Sequence, residues 1–186
     1  MKKYRSLILV FLSTLILLII CPLSPKESPQ FEQPVLVTSA GQSAEVQVAS
    51  VLAKRAGLNY SLSKTATARD LVDVKTIALV IGTSLKGLGA AGLDIGQENE
   101  RIFSLIKAAQ QHNIPILCLH LGGEQRRGTL SDKMIKTVLP FAQHVIVVKS
   151  GNKDGLFTEI CTTHSIPLIE VERAAEALEP LKNAFL

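Results

Sequence analysis

The sequence has no tryptophan, only 4% aromatic residues, and three cysteines in 186 residues. Three cysteines exclude a disulfide-dense scaffold. No CxxC pair or His/Cys cluster has zinc-ligand spacing, so no metal site is expected. A Walker A loop is missing, and so is a G-x-S-x-G elbow. A basic excess is also lacking. The formal charge is +4, but Lys2, Lys3 and Arg5 precede an apolar run, and setting them aside leaves 17 basic against 16 acidic residues. Binding a phosphodiester backbone takes a strong basic stripe, so nucleic acid is not an expected partner.

What the sequence does have begins with a leader. Met1 to Arg5 is basic, and Leu7 to Ile20 is apolar apart from Ser13 and Thr14. Residues 1–23 therefore read as a secretory signal or a membrane anchor. The 18 residues from Ser6 to Leu23 just reach spanning length. The basic flank directs the rest of the chain outward, placing it at the cell membrane on the extracytoplasmic side. Leu18-Ile19-Ile20-Cys21 resembles a lipobox, but Ile20 is bulky where a small residue is needed, which argues against lipidation of Cys21. No A-x-A site is present, which favours a retained anchor over cleavage. Residues 24–34, with prolines at 25, 29 and 34, form a stiff spacer.

From 35 to 186 a single α/β domain is expected. Short apolar runs at Val35–Val37, Thr76–Ile81, Pro115–Leu119, His144–Val148 and Pro167–Val171 read as strands, and Leu58–Leu62 alternates like an edge strand. Between them lie patterns of helical period, such as Ile102, Leu105, Ile106 and Ala109. Ser43, Thr67, Ser131 and Asp154 are the expected helix caps. Alternating strands and helices give a three-layer, doubly wound parallel sheet, flavodoxin-like or Rossmann-like, in the order 2-1-3-4-5 with a sixth strand beside the fifth. A crevice is then expected between strands one and three. Cys118 and Cys161 fall on apolar strand and helix positions and read as core residues.

The most informative stretch is Ile114 to Gly128, an apolar strand that runs into His120, two glycines, Glu124, Arg126 and Arg127. Open α/β sheets present chemistry at the carboxyl ends of their strands. On that edge lie Thr38, Ser39, Gln42, Ser43, Lys86, His120, Glu124, Arg126, Arg127, Lys149 and Lys153, the candidate contacts for a small anionic ligand. His120 with Ser39, Ser43 or Asp154 is the alternative, a nucleophile–base pair of a hydrolase or transferase. A third reading has the rim docking a membrane transporter subunit. Gly87 to Gly92 spells G-x-G-x-x-G, yet it does not join a strand directly to a helix, and no acidic residue ends a strand about 20 residues on. No cofactor is expected, and the glycines read as a mobile flap over the crevice.

Four segments, Pro34–Ser43 (PVLVTSAGQS), Lys86–Gly92 (KGLGAAG), His120–Asp132 (HLGGEQRRGTLSD) and Lys149–Phe157 (KSGNKDGLF), together resemble a family of small exported bacterial proteins grouped as a domain of unknown function. The resemblance implies that these four loops belong together. It assigns no activity and no catalytic residue.

Overall fold

The computed structural model describes residues 31–185. The leader expected at 1–23 and most of the spacer lie outside the described residues. Among the described residues, no helix is long and apolar enough to cross a membrane. Phe31, which composition places in the spacer, is buried; its N–H donates to Ala184 O at 2.7 Å, and its ring packs on Phe185.

Six strands form one parallel sheet: β1 (Val35–Ala40), β2 (Tyr60–Leu62), β3 (Thr76–Ile81), β4 (Ile116–His120), β5 (His144–Val148) and β6 (Leu168–Val171). Their order is β2-β1-β3-β4-β5-β6, as the sequence pattern indicates. Strands β1, β3, β4 and β5 are buried at every position because helices cover both faces. Edge strand β2 has three residues and stays partly exposed.

The pleat sorts side chains between two cores. Leu36, Ile77, Leu79, Ile81, Ile116 and Cys118 face one layer, made by α3 (Ile95–Gln111), α4 (Thr129–Val138) and α5 (Leu156–Thr163). Val35, Val37, Ala78, Val80, Leu117 and Leu119 face the other, made by α1 (Glu45–Arg55) and α6 (Leu178–Asn183). Cys118 and Cys161 are free thiols in the first core, and burial pushes Cys161 up to about 11.

Several local expectations need correction. Residues 82–96 are not a flap. Leu85–Ala90 form a short helix, α2, capped by the Ser84 hydroxyl on Gly87 N, and Asp94 begins α3 with a capping box. Thr67 does cap, but what it caps is a 3-10 turn, Ala68–Leu71. Ser131 lies inside α4, which begins at Thr129, and its hydroxyl accepts instead from Thr83 N at 2.9 Å. Ser43 gives α1 no cap, since the N-cap residue is Ala44. Two side chains cap α5: Asn152 Oδ1 accepts from Phe157 N at 2.9 Å, and Asp154, as expected, accepts from Leu156 N at 3.3 Å while its carboxylate also pairs with Arg127. At Ser131 a tertiary partner outcompetes the local hydrogen bond that the sequence offers.

Candidate functional site

All six strands run parallel, so every strand-to-helix turn opens on one edge. The turns after β1, β3, β4 and β5 touch there. Gln42 and Thr83 form an antiparallel bridge, and Ser84 N donates to Gly41 O at 2.8 Å. Arg126 Nε donates to Glu45 Oε1 at 2.7 Å, and Arg127 Nη2 donates to Asp154 Oδ2 at 2.7 Å. The four loops therefore make one rim, but they do not make one site.

One half of the rim is a cleft of about 670 Å³ between the β1–α1 and β3–α2 turns, at the point where the strand order reverses. Gln42, Ser43, Lys64, Ser84, Lys86 and Arg126 line it, with a wall of small residues at Ala44, Gly87, Ala90 and Ala91. Ser43 is only 2% exposed, and its Oγ has no hydrogen-bond partner among the described residues. It lies at the amino end of α1, an 11-residue helix that receives no side-chain cap. Thr83 Oγ1 and Glu45 Oε2 are likewise buried and unpartnered. A Cβ placed on Gly82 would lie 3.1 Å from Ser43 Oγ and 3.8 Å from Arg126 Cβ, so these two residues flank the same spot. Burial pushes the Glu45 carboxyl up, but the Arg126 guanidinium, the Glu45 backbone N–H and the nearby Ser43 hydroxyl together hold the group below its ordinary value.

The turn that presents Ser43 is held from behind. Gly41 (φ 101°) and Gln42 (φ 60°) both lie in the left-handed region. For a residue with a Cβ this costs roughly 1–3 kcal/mol, so the surroundings must enforce it. Gln42 Nε2 donates to Lys64 O at 3.0 Å and to Glu98 Oε1 at 3.2 Å, and Gly41 N donates to Glu98 Oε1 at 2.8 Å. Glu98, on α3, is fully buried and paired with Arg101 at 2.7 Å. Arg101 also donates to Ala66 O at 2.7 Å and Ser39 O at 2.6 Å, which ties β1 to the 3-10 turn. Gly87 belongs to the same arrangement. A Cβ there would collide with Gln42 O, so a glycine of the G-x-G-x-x-G run serves close packing of α2 on this turn.

The other half of the rim is neutralised by ion pairs. Arg127 bonds Asp132 and Asp154, lies over the Phe157 ring at 5.9 Å, and donates to Gly151 O. Lys153 pairs with Glu124, and Lys149 pairs with Glu172 at 3.0 Å. The shallow depression there, about 220 Å³, holds Glu124, Asp132 and Asp154 against Arg127 and Lys153, a poor place for an anion. The Arg127 guanidinium holds Asp154 down at about 2 and lowers Asp132.

Of the eleven candidate contacts, Gln42, Ser43, Lys86 and Arg126 line the cleft. Glu124, Arg127, Lys149 and Lys153 belong to the ion-paired half. Thr38 and Ser39 are wholly buried in β1. His120 is buried too, with Nδ1 2.9 Å from Ile81 O and Nε2 3.1 Å from Gly123 O, and its ring 5.1 Å from Phe157. Each ring nitrogen thus faces a backbone carbonyl, to one of which the neutral imidazole donates, and the expected pairing with Ser39, Ser43 or Asp154 is not made. Burial lowers the His120 pKa. Sequence reasoning passed over Lys64, Ser84, Glu98, Arg101 and Asn152. For Glu98 a signal exists: it lies four and seven residues before Ile102 and Leu105, on the apolar stripe of α3.

Among known structures, a protein of Desulfitobacterium hafniense DCB-2 assigned to the G-D-S-L family of lipolytic proteins shares 12% identity, over 73% of this chain and 75% of its own, with a TM-score of 0.33. A protein of Bacteroides fragilis NCTC 9343 classed as an acylhydrolase shares 12%, over 77% and 71%, with a TM-score of 0.34. AlinE4, an SGNH-hydrolase family esterase, shares 13%, over 83% and 81%, with a TM-score of 0.31. These likenesses are too distant to transfer chemistry. No curated protein sequence matches the chain. A family model does, over residues 32–185, and the chain belongs to that family, described as a domain of unknown function (DUF6305).

Proposed function

We propose that the cleft between the β1–α1 and β3–α2 turns binds a small anionic molecule through a carboxylate or phosphate group seated against Ser43, and that the N-terminal leader holds this cleft on the extracytoplasmic side of a membrane. The observation that carries the binding reading is the Ser43 hydroxyl. It is buried at the amino end of α1 and, although near the Glu45 carboxyl, makes no hydrogen bond of full geometry among the described residues, in a cleft whose lining includes three cations and no carboxylate. Leaving such a group unsatisfied costs roughly 1–3 kcal/mol, which an acceptor on a ligand recovers. The dipole of α1 adds roughly 0.3–1 kcal/mol in favour of negative charge. The basic start and apolar run of residues 1–23 support the tether.

Calorimetric titration of the full 186-residue chain with inorganic phosphate at low ionic strength tests the binding reading. Saturable binding is expected, and Ser43→Ala weakens it roughly tenfold, the value of one hydrogen bond to a charged group. The thermal midpoint of S43A stays level or rises, because the variant removes an unsatisfied hydroxyl. Absence of binding, or equal binding by S43A, refutes the proposal.

A further inference from the structure

The geometry points to a ligand with two separated negative groups, a compact organic dianion, in an inference that rests on the anion-binding reading above. The cations of the cleft form two groupings, one on each side of the β1–α1 turn. The first is Ser43 with Arg126 and the amino end of α1: both residues approach the same point beside Gly82. The second is Lys64 with Lys86. Gln42 accounts for its position, since its side chain donates to the Lys64 carbonyl and its own carbonyl abuts Gly87, the neighbour of Lys86. The Lys64 backbone and the Lys86–Gly87 turn thus both meet Gln42, and Ser43 follows it toward Arg126.

The balance of charge differs between the groupings. Arg126 already has Glu45 as a counter-ion, so the first grouping contributes a hydroxyl, a helix terminus and a half-satisfied guanidinium. Lys64 and Lys86 form no salt bridge among the described residues, and no carboxylate lines the cleft to offset them. A single carboxylate on Ser43 would leave both lysine charges uncompensated. A second acidic group across Gln42 compensates them. The rest of the lining narrows the class further. No aromatic side chain is present to stack a base, and no acidic side chain is present to receive an ammonium group or to chelate paired hydroxyls. The wall of Ala44, Gly87, Ala90 and Ala91 offers a plain apolar contact to a short carbon chain. These features favour a di- or tricarboxylate, or a phosphorylated short acid, over nucleotides and amino acids.

The test uses the full chain in calorimetry at low ionic strength, with unbranched α,ω-dicarboxylates of three to six carbons, each against the monocarboxylate of the same length. Inorganic phosphate serves as the reference anion. At least one dicarboxylate is expected to bind roughly five- to tenfold tighter than its monocarboxylate, an advantage that shrinks with added salt. The double variant Lys64→Gln, Lys86→Gln is expected to abolish that advantage, weakening the dicarboxylate roughly five- to tenfold more than the monocarboxylate. Both lysines are exposed, so its thermal midpoint should match wild type. If phosphate and monocarboxylates bind but no dicarboxylate binds better, the dianion inference is overturned while the anion site stands. The same holds if the advantage survives in the double variant. If no anion binds at all, both fall together.

Discussion

At the scale of single residues, His120 shows how a chemically suggestive side chain is consumed by structure. It ends a central strand beside a glycine-rich loop, where a general base or ligand contact would be placed. Yet position 120 has the same pleat parity as Ile116 and Cys118, which face the α3–α5 layer, so its ring turns into that core against Phe157. There it bridges the Ile81 carbonyl, at the end of β3, and the Gly123 carbonyl, in the turn that carries Arg126. That parity was readable from the sequence, whereas the Ile81 carbonyl was not, because it lies on another strand, far away in the chain. His120→Ala removes the bridge and opens a cavity beside Gly151, which packs against the imidazole. We expect a loss of about 2–4 kcal/mol in denaturant unfolding. A stable H120A variant with abolished phosphate binding would instead make His120 a ligand contact.

At the scale of elements, the β1–α1 turn depends on α3. A Glu–Arg pair three residues apart on a helix ordinarily marks a solvated face worth a few tenths of a kcal/mol. Here the pair is inward: Glu98 is 0% exposed and the Arg101 side chain 8%. Between them they satisfy Gly41 N, the Gln42 amide, and the carbonyls of Ser39 and Ala66. The pair thus fixes the backbone that carries Ser43. Composition alone cannot separate a surface pair from a buried one, although the apolar stripe of α3 places Glu98 on the wrong side for a surface residue. Arg101→Met strands a buried carboxylate and should cost about 3–5 kcal/mol. Adding Glu98→Gln should return part of that loss, with a coupling of about 1–3 kcal/mol in a double-mutant cycle. Independent, additive losses would show that the two side chains do not work as a unit.

At the scale of the whole molecule, the fold was the most legible feature, because each central strand is a continuous apolar run and each crossover has helical period. Strand order followed from the edge-like alternation of β2. The division of the rim into a cationic cleft and an ion-paired half was not legible. It depends on which carboxylate each cation reaches, and Arg126–Glu45 and Lys149–Glu172 link residues far apart in sequence. The same distribution of charge and burial sets the response to acid, which should come in two stages. His144 and His120 are buried, and burial lowers both pKa values. His144 has no hydrogen-bond partner on either nitrogen among the described residues and meets the edge of Phe31. The unfolded chain takes up protons at these histidines as pH falls through about 6.5, and the folded protein does not, so their contribution is complete above that pH and declines below it. Asp154, Asp132 and Glu45 are shifted the other way. Their stabilisation is present above the ordinary carboxylate range, about pH 4, and is lost as pH falls toward 2. Thermal midpoints followed by circular dichroism from pH 8 to pH 3 should therefore fall once below about 6.5 and again below about 4. His144→Leu should flatten only the upper decline and be close to neutral at pH 7.5, since it replaces an unpartnered imidazole with an apolar group. Arg127→Met should reduce chiefly the lower one, through Asp132 and Asp154, with Glu45 still contributing. A wild-type midpoint that stays level down to pH 4 would mean that the buried imidazoles can take up protons in place, which the burial of His144 opposes.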